Sequence, residues 1–418
     1  MEKNIQSVPQ YLQETAQTTQ DQVTGTFVTY LNAIRLSALA DKLLELETRK
    51  SAASQEILAL RESIARLIES NRGGSKGMHG FIGERVQVAF ANVNSLMKGE
   101  LPEYILIDDN GMTDYLRGDI LIQQKACISD GTFGLTHVLA HVKKYPLFVD
   151  EKGVYQIPSD FYELYCFFSH IPESEALKFR KEDLRIWKAV KEFNDEAPYI
   201  KLEPMEVTYR EIQAGVVHDT IDRKEASVEK MHEDQKQIAR DSYKPTLQEG
   251  IKVTIISAAL EGFVDAGLSF AEHAGRKKIR DFDKEDLKEI AIDGAKGSIK
   301  GGIRGAVVYT ATNFTRIPAP VATAGVTAIY GIVSDIPDLH SKEISGKEFC
   351  YRAVEHCTEA AFSAAFSKLG EKFIPIPVLG PLIGNAIGMF AYGFLKKGVI
   401  CLSENIKSEG EGKNEEKP

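Results

Sequence analysis

Two stretches in the last third of the chain carry no charged residue. One runs from Ile317 to Ser334, 18 residues; the other runs from Phe373 to Leu395, 23 residues, between Glu371-Lys372 and Lys396-Lys397. About 20 apolar residues suffice to cross a bilayer as a helix. These runs therefore leave this region two solutions, a tightly packed soluble helical domain or one that enters a membrane. Gly384 and Gly388 form a G-x-x-x-G pair that favours close helix approach. Pro375, Pro377 and Pro381 crowd the first half of the longer run, and Pro318 and Pro320 open the shorter one, so neither reads as an uninterrupted helix. A re-entrant or conditionally inserting hairpin fits them, with membrane contact expected through 317–334 and 373–395. Gly294, Gly297, Gly301 and Gly305 recur at spacings of three and four. Residues 251–403 are thus expected to form a largely α-helical, Gly/Ala-rich hydrophobic domain, and the charged tail 404–418 to be disordered.

Upstream the texture is ordinary. The chain has 418 residues, 43% hydrophobic and 27% charged, which fits several domains rather than a disordered or fibrous protein. Apolar residues three and four apart (Leu36, Leu39, Leu43, Leu46, then Ile57, Leu60, Ile64, Leu67) predict helices over 24–70. A helical hairpin or coiled-coil arm over 1–72 is expected, suited to packing or homo-oligomer formation, with a boundary at Asn71-Arg72-Gly73-Gly74-Ser75. Residues 161–250 read as a charged helical connector. The first 22 residues lack the basic and apolar regions of a secretory signal. The five cysteines form no C-x-x-C pair, so reduced thiols and a cytoplasmic location are expected, with membrane association through the hydrophobic region. A net charge of −9 with no basic stripe weighs against nucleic-acid binding of the ordinary kind.

The chemistry sits in residues 73–160. A helix over Gly77–Asn94 carries Glu84, a β-rich run follows at Glu103–Asp109, and Asn110-Gly111 marks a turn. Thr113–Arg117 and Ile120–Ala126 are apolar runs joined by Gly118-Asp119, a hairpin signal. A further helix runs from about Thr132 to Tyr145. Strand alternation puts Gln123 and Lys125 on one face, and the turn returns them towards Asp114, with Glu84 arriving from the helix before. Two carboxylates and an amide oxygen suit a hard divalent cation, Mg²⁺ or Mn²⁺. Such a cation activates water and polarises a phosphate, while Lys125 orients that water or stabilises developing charge. Asp119 reads as a turn residue, and Gln124 points to the opposite face.

D-x(8)-Q-x-K across a hairpin, with a glutamate on the preceding helix, resembles the PD-(D/E)xK restriction-endonuclease-like superfamily over residues 76–150. The resemblance implies a restriction-endonuclease-like core and a metal-dependent nuclease acting on DNA or RNA. It makes Asp114 the motif aspartate, Gln123 the residue in the glutamate position, Lys125 the lysine and Glu84 the helical acid. Thr113 stands where the family has proline, and Gln123 brings no charge. On the following helix, His137, His141, Lys143 and Lys144 are candidate phosphate contacts. The two histidines share a helical spacing, but no acid between them completes a zinc motif. A nuclease-like segment beside a hydrophobic glycine-rich one resembles bacterial toxin or phage-defence effectors. The alternative is a membrane-inserting effector whose central domain is not catalytic. The expected class is α+β and multidomain.

Overall fold

In a computed structural model the chain is mostly helical, with one five-stranded mixed sheet, an α+β protein. The structure describes residues 8–71, 74–109, 111–128, 133–315, 317–374, 380–381 and 383–396. The charged tail, Asn110, Thr132, Pro375 and Pro377 lie outside them. The chain divides into a sheet unit, Leu39–Ser242, and a helical unit, Met1–Ala38 with Tyr243–Pro418.

The first helix, α1 (Val8–Glu69), is 62 residues long and contributes to both units. This corrects the expected hairpin over 1–72. Between Gln10 and Glu69 there is no proline and a single glycine, Gly25, so nothing makes a turn. The stripe Ile57, Leu60, Ile64 and Leu67 is buried, but not against a second copy. It packs on α2 (Gly74–Lys98), which contributes Ile82, Val86 and Val93, and on Val217 and Ile221.

The sheet runs in the order β1 (Tyr104–Leu106), β2 (Tyr115–Arg117), β3 (Ile120–Gln124), β4 (Val154–Ile157), β5 (Lys201–Pro204). The first three strands are antiparallel, and β4 and β5 follow parallel to β3. Gly118 sits at φ 57° in the two-residue turn between β2 and β3, a left-handed conformation that favours glycine. Arg117 pairs with Ile120 across it, as the hairpin reading expects.

Parallel strands need a crossover. Between β3 and β4 it is α3 (Leu135–Lys144) and α4 (Pro146–Asp150). Between β4 and β5 it is α5 (Ser159–Ser169), α6 (Glu173–Ala176) and α7 (Lys181–Glu196). Alternation sorts the sheet's side chains into two cores. Tyr115, Ile122 and Val154 pack with Val88 of α2. Tyr155, Leu202 and Leu121 pack with Val138, Phe161, Trp187 and Phe193. The residues read as a connector, 161–250, therefore complete the sheet domain. They supply β5, the helices over one face, and α8 (Val217–Ser242), which closes on α1 and α2.

The helical unit contains α9 (Leu247–Arg276), α10 (Lys284–Phe314), α11 (Ala319–Ser334), α12 (Ile336–His340) and α13 (Gly346–Phe373). Residues 383–396 are helical again. Capping boxes start α9 (Thr246 with Glu249) and α10 (Asp283 with Asp286), each satisfying otherwise orphaned amides. Two helical stretches, Val217–Arg276 and Ala319–His340, are long and apolar enough to cross a membrane. The run from Phe373 is broken, as its prolines require, since α13 ends there with Ile374 extended.

Candidate functional site

The site forms where α2 meets the hairpin. Asp114 immediately precedes β2, and its amide donates to Ile122 O at 2.9 Å, which sets it opposite Gln123 across the antiparallel pair. One Asp114 carboxylate oxygen accepts from the Gln124 amide at 2.7 Å and from the Gln123 side-chain amide. Gln123 is buried, and its Oε1 has no hydrogen-bond partner. Lys125 follows β3, tied by its amide to Gln156 O of β4 at 2.9 Å. Gln124 takes the other face, as alternation requires, where its Nε2 donates to Gly80 O at 3.2 Å.

Glu84 is delivered by α2 at a point where the helix approaches the sheet closely. A methyl group on the neighbouring Gly83 would lie 2.5 Å from Gln124 Nε2 and 3.2 Å from Ile212 Cδ1. Only glycine allows that approach without displacing the strand side chain.

The electrostatics of this corner follow from its partial burial, since Glu84, Asp114 and Lys125 are each half-buried. Burial pushes the Glu84 carboxyl up to about 8, and the charges of Asp114 and Asp108 add to the rise. Burial likewise pushes Asp114 up to about 6, against the opposing pull of Lys125 and the Gln124 amide. Burial lowers the Lys125 ammonium, although Asp114 and Glu84 counteract it. Each of the three groups feels at least one of the others, so Glu84, Asp114, Gln123 and Lys125 come together. Without a cation, two carboxyls in one desolvated pocket hold a proton near neutral pH.

The donor set fits a hard divalent cation. It comprises two carboxyls, one of which keeps its proton near neutral pH, and a buried amide oxygen lacking a partner. One other acidic group among the described residues, Glu229, His232 and Glu233 on α8, could geometrically hold a metal. Its carboxylates already pair with Lys50 and Lys236, and His232 faces Glu47 at 3.3 Å.

The candidate phosphate contacts separate. His137 is exposed. Lys143 is exposed and reaches Glu196 at 3.2 Å; Lys144 lies 4.7 Å from the centre of the Tyr145 ring. His141 departs from the expectation of a surface contact. It is buried, with Nδ1 2.8 Å from Tyr155 Oη and its ring against Tyr145 and Phe148. Burial, with Lys125 and Lys144 nearby, pushes it down to about 4. A neutral ring closed into a core neither attracts phosphate nor pairs with His137 around zinc.

Sequence reasoning missed Asp108, which anchors Arg85 of α2 at 2.9 Å beside Glu84. It also missed Gln156 of β4, buried beside β3 and accepting from Tyr115 Oη at 2.6 Å. Asp108 was visible as an acid ending the β-rich run; nothing local marked Gln156. Comparison with family models, with curated proteins and with solved structures finds no match to this chain.

Proposed function

We propose that the sheet unit is a metal-dependent nuclease of the restriction-endonuclease-like type, hydrolysing phosphodiester bonds in nucleic acid. The observation that carries this reading is the convergence of Glu84, Asp114, Gln123 and Lys125 in one half-buried corner, where the charges perturb one another. The order of helix, strand, hairpin and helix from Gly74 to Lys144, on which the resemblance rests, supports it.

Asp114, Glu84 and the Gln123 Oε1 would hold Mg²⁺ or Mn²⁺, which when bound polarises the scissile phosphate and acidifies an attacking water. The protein's own residues do the remainder. Asp114 and Glu84 give up their retained proton as the cation's charge arrives. Lys125, held by its backbone to β4, faces the developing negative charge from a desolvated position, where its effect is larger than in water. Lys143 and Lys144, exposed at the end of α3, supply phosphate contacts on an otherwise acidic protein. His141 fixes the α3 end of this arrangement through Tyr155.

The test is incubation of the purified protein with plasmid DNA and with RNA in Mg²⁺ or Mn²⁺, beside Lys125→Ala and an EDTA control. Cleavage that needs metal and is lost in the variant supports the reading. Cleavage that persists in Lys125→Ala or EDTA, or no cleavage of either substrate, sinks it.

A further inference from the structure

Parts of the helical unit are built with their polarity reversed, beside a small apolar cluster of Val253, Val308 and Tyr309. In water a helix buries its large apolar residues and exposes its polar ones. Here α9 buries Ser257, Glu261 and Ser269 and exposes Ile255, Phe263 and Phe270. Helix α10 buries Gly301, Arg304 and Gly305 and exposes Ile299, Ile303 and Val307. Helix α11 buries Ala322, Thr323 and Ala324 and exposes Val321, Ile329 and Val333. Residues 383–396 bury Asn385 and expose Ile387, Phe390 and Phe394. Phe263 is 81% exposed while Asn385 is wholly buried.

Several of the buried polar groups find one another. Arg304 Nη1 donates to Glu261 Oε1 at 2.6 Å between α10 and α9. Gln22 donates to Ser363 at 2.8 Å, and Ser363 to Asn385 at 2.6 Å, linking three helices. Small residues set the helix spacing. A methyl on Gly297 would lie 2.7 Å from Glu261 O, and one on Gly301 would strike the Ser257 main chain.

We infer that this unit inserts α9 and α11, which lie in the two stretches long and apolar enough to cross, into the hydrocarbon core of a lipid bilayer. Hydrocarbon removes the hydrophobic drive between helices, so association falls to small-residue contacts and interhelical hydrogen bonds, which are the contacts found here. A buried ion pair between helices, such as Glu261 with Arg304, is the form an ionisable group takes within a membrane bundle. The apolar residues lie on the outer faces of four separate helices, an arrangement suited to a surrounding solvent. A single docked protein would cover one face. The lengths agree, since about 20 residues span about 30 Å; α9 has 30 residues and the stretch Ala319–His340 has 22. This inference does not rest on the nuclease reading.

The test mixes the full chain with vesicles of phosphatidylcholine and phosphatidylglycerol, floats them on a density gradient, and washes the floated fraction with alkaline carbonate. Most of the protein should float and resist the wash. Phe263→Asp on α9 and Ile329→Asp on α11, each an exposed position, should lower the resistant fraction about tenfold or more. Leu58→Asp, on an exposed position of the sheet unit, should leave it unchanged. Circular dichroism in detergent micelles checks that each variant keeps its helix content. The wild-type arm decides even if a variant unfolds. Protein that stays at the bottom of the gradient, whether monomer or self-associated by light scattering, overturns insertion, and so does protein that floats but is stripped by carbonate.

Discussion

Replacing Glu84 by glutamine should stabilise the metal-free sheet unit, by an amount that grows with pH. The folded chain raises this carboxyl from an ordinary 4.5 to about 8 by burying it and setting Asp114 beside it. A folded value above the unfolded one means that the native state keeps a proton the unfolded chain releases. Stability is then fully present below the unfolded value and is lost as pH rises through the folded one. At roughly 1.4 kcal/mol per unit, such a shift removes about 3 kcal/mol between pH 5 and pH 8. Glu84→Gln keeps the shape of the side chain and never ionises, so its stability lacks that slope. Asp114, raised to about 6, leaves a smaller loss at lower pH in both proteins. The assay is urea unfolding at four pH values from 5 to 8. It is followed by the fluorescence of Trp187, the single tryptophan, which is buried in α7 and reports the sheet unit alone. Wild type and variant should diverge by about 3 kcal/mol across the range. Saturating Mg²⁺ should flatten the wild-type curve, because bound cation replaces the proton. Parallel curves without metal would refute the reasoning, since they would make Glu84 an ordinary solvated acid.

Four further outcomes follow from the same geometry. Lys125→Met should lower metal-dependent cleavage by about 100-fold or more while leaving the urea midpoint unchanged or higher, because it removes a desolvated charge; retained cleavage would exclude Lys125 from the chemistry. Gln123→Glu should lower the Mg²⁺ midpoint for cleavage about tenfold and reduce metal-free stability at pH 8, both read by titration and urea unfolding; an unchanged Mg²⁺ midpoint counts against this position as a ligand. Gly83→Val should destabilise the sheet unit by about 2 kcal/mol through collision with the Gln124 amide, and an unchanged Trp187 transition would contradict the close approach of α2. Tyr155→Phe should cost about 1–2 kcal/mol by orphaning His141 with cleavage per folded molecule preserved; lost cleavage at full stability would return His141 to the chemistry.

Much of the candidate site was legible because strand alternation and a two-residue turn are local rules. Once Gly118-Asp119 closes the hairpin, period two places Asp114 opposite Gln123 and sends Gln124 to the other face, and no distant contact is needed. The long helix was misread for a reason of the opposite kind. Apolar residues three and four apart say that α1 buries a stripe, and they are silent about what covers it. Val28 packs with Val253 and Tyr309, whereas Ile57 packs with Ile82 and Val86. The change of partner leaves no mark on the periodicity, and a hairpin was inferred where the helix continues. Strand β5 escaped because Lys201, Glu203 and Pro204 surround its one buried residue, Leu202, leaving no apolar run. His141 was misplaced because basic neighbours made the whole end of α3 look solvated. Its burial is imposed by Tyr155 and Phe148, which arrive from β4 and α4.

The amide of Gln123 has a consequence for how the site rests. It donates to Asp114 while its oxygen lies in a dry interior with no donor. An amide is two-ended, and a half turn exchanges donor for acceptor with almost no change of shape. In the present orientation it occupies a carboxylate oxygen that a cation would need. Turned over, it sets an oxygen against that carboxylate, an arrangement stable only with positive charge between them. If Asp114 is to take the proposed cation, this amide is the group that has to turn away first. A glutamate in the same place would have no donor to close with. Where the motif has glutamate, this chain thus carries a group that can close on Asp114 by donating to it, which a carboxylate could not do.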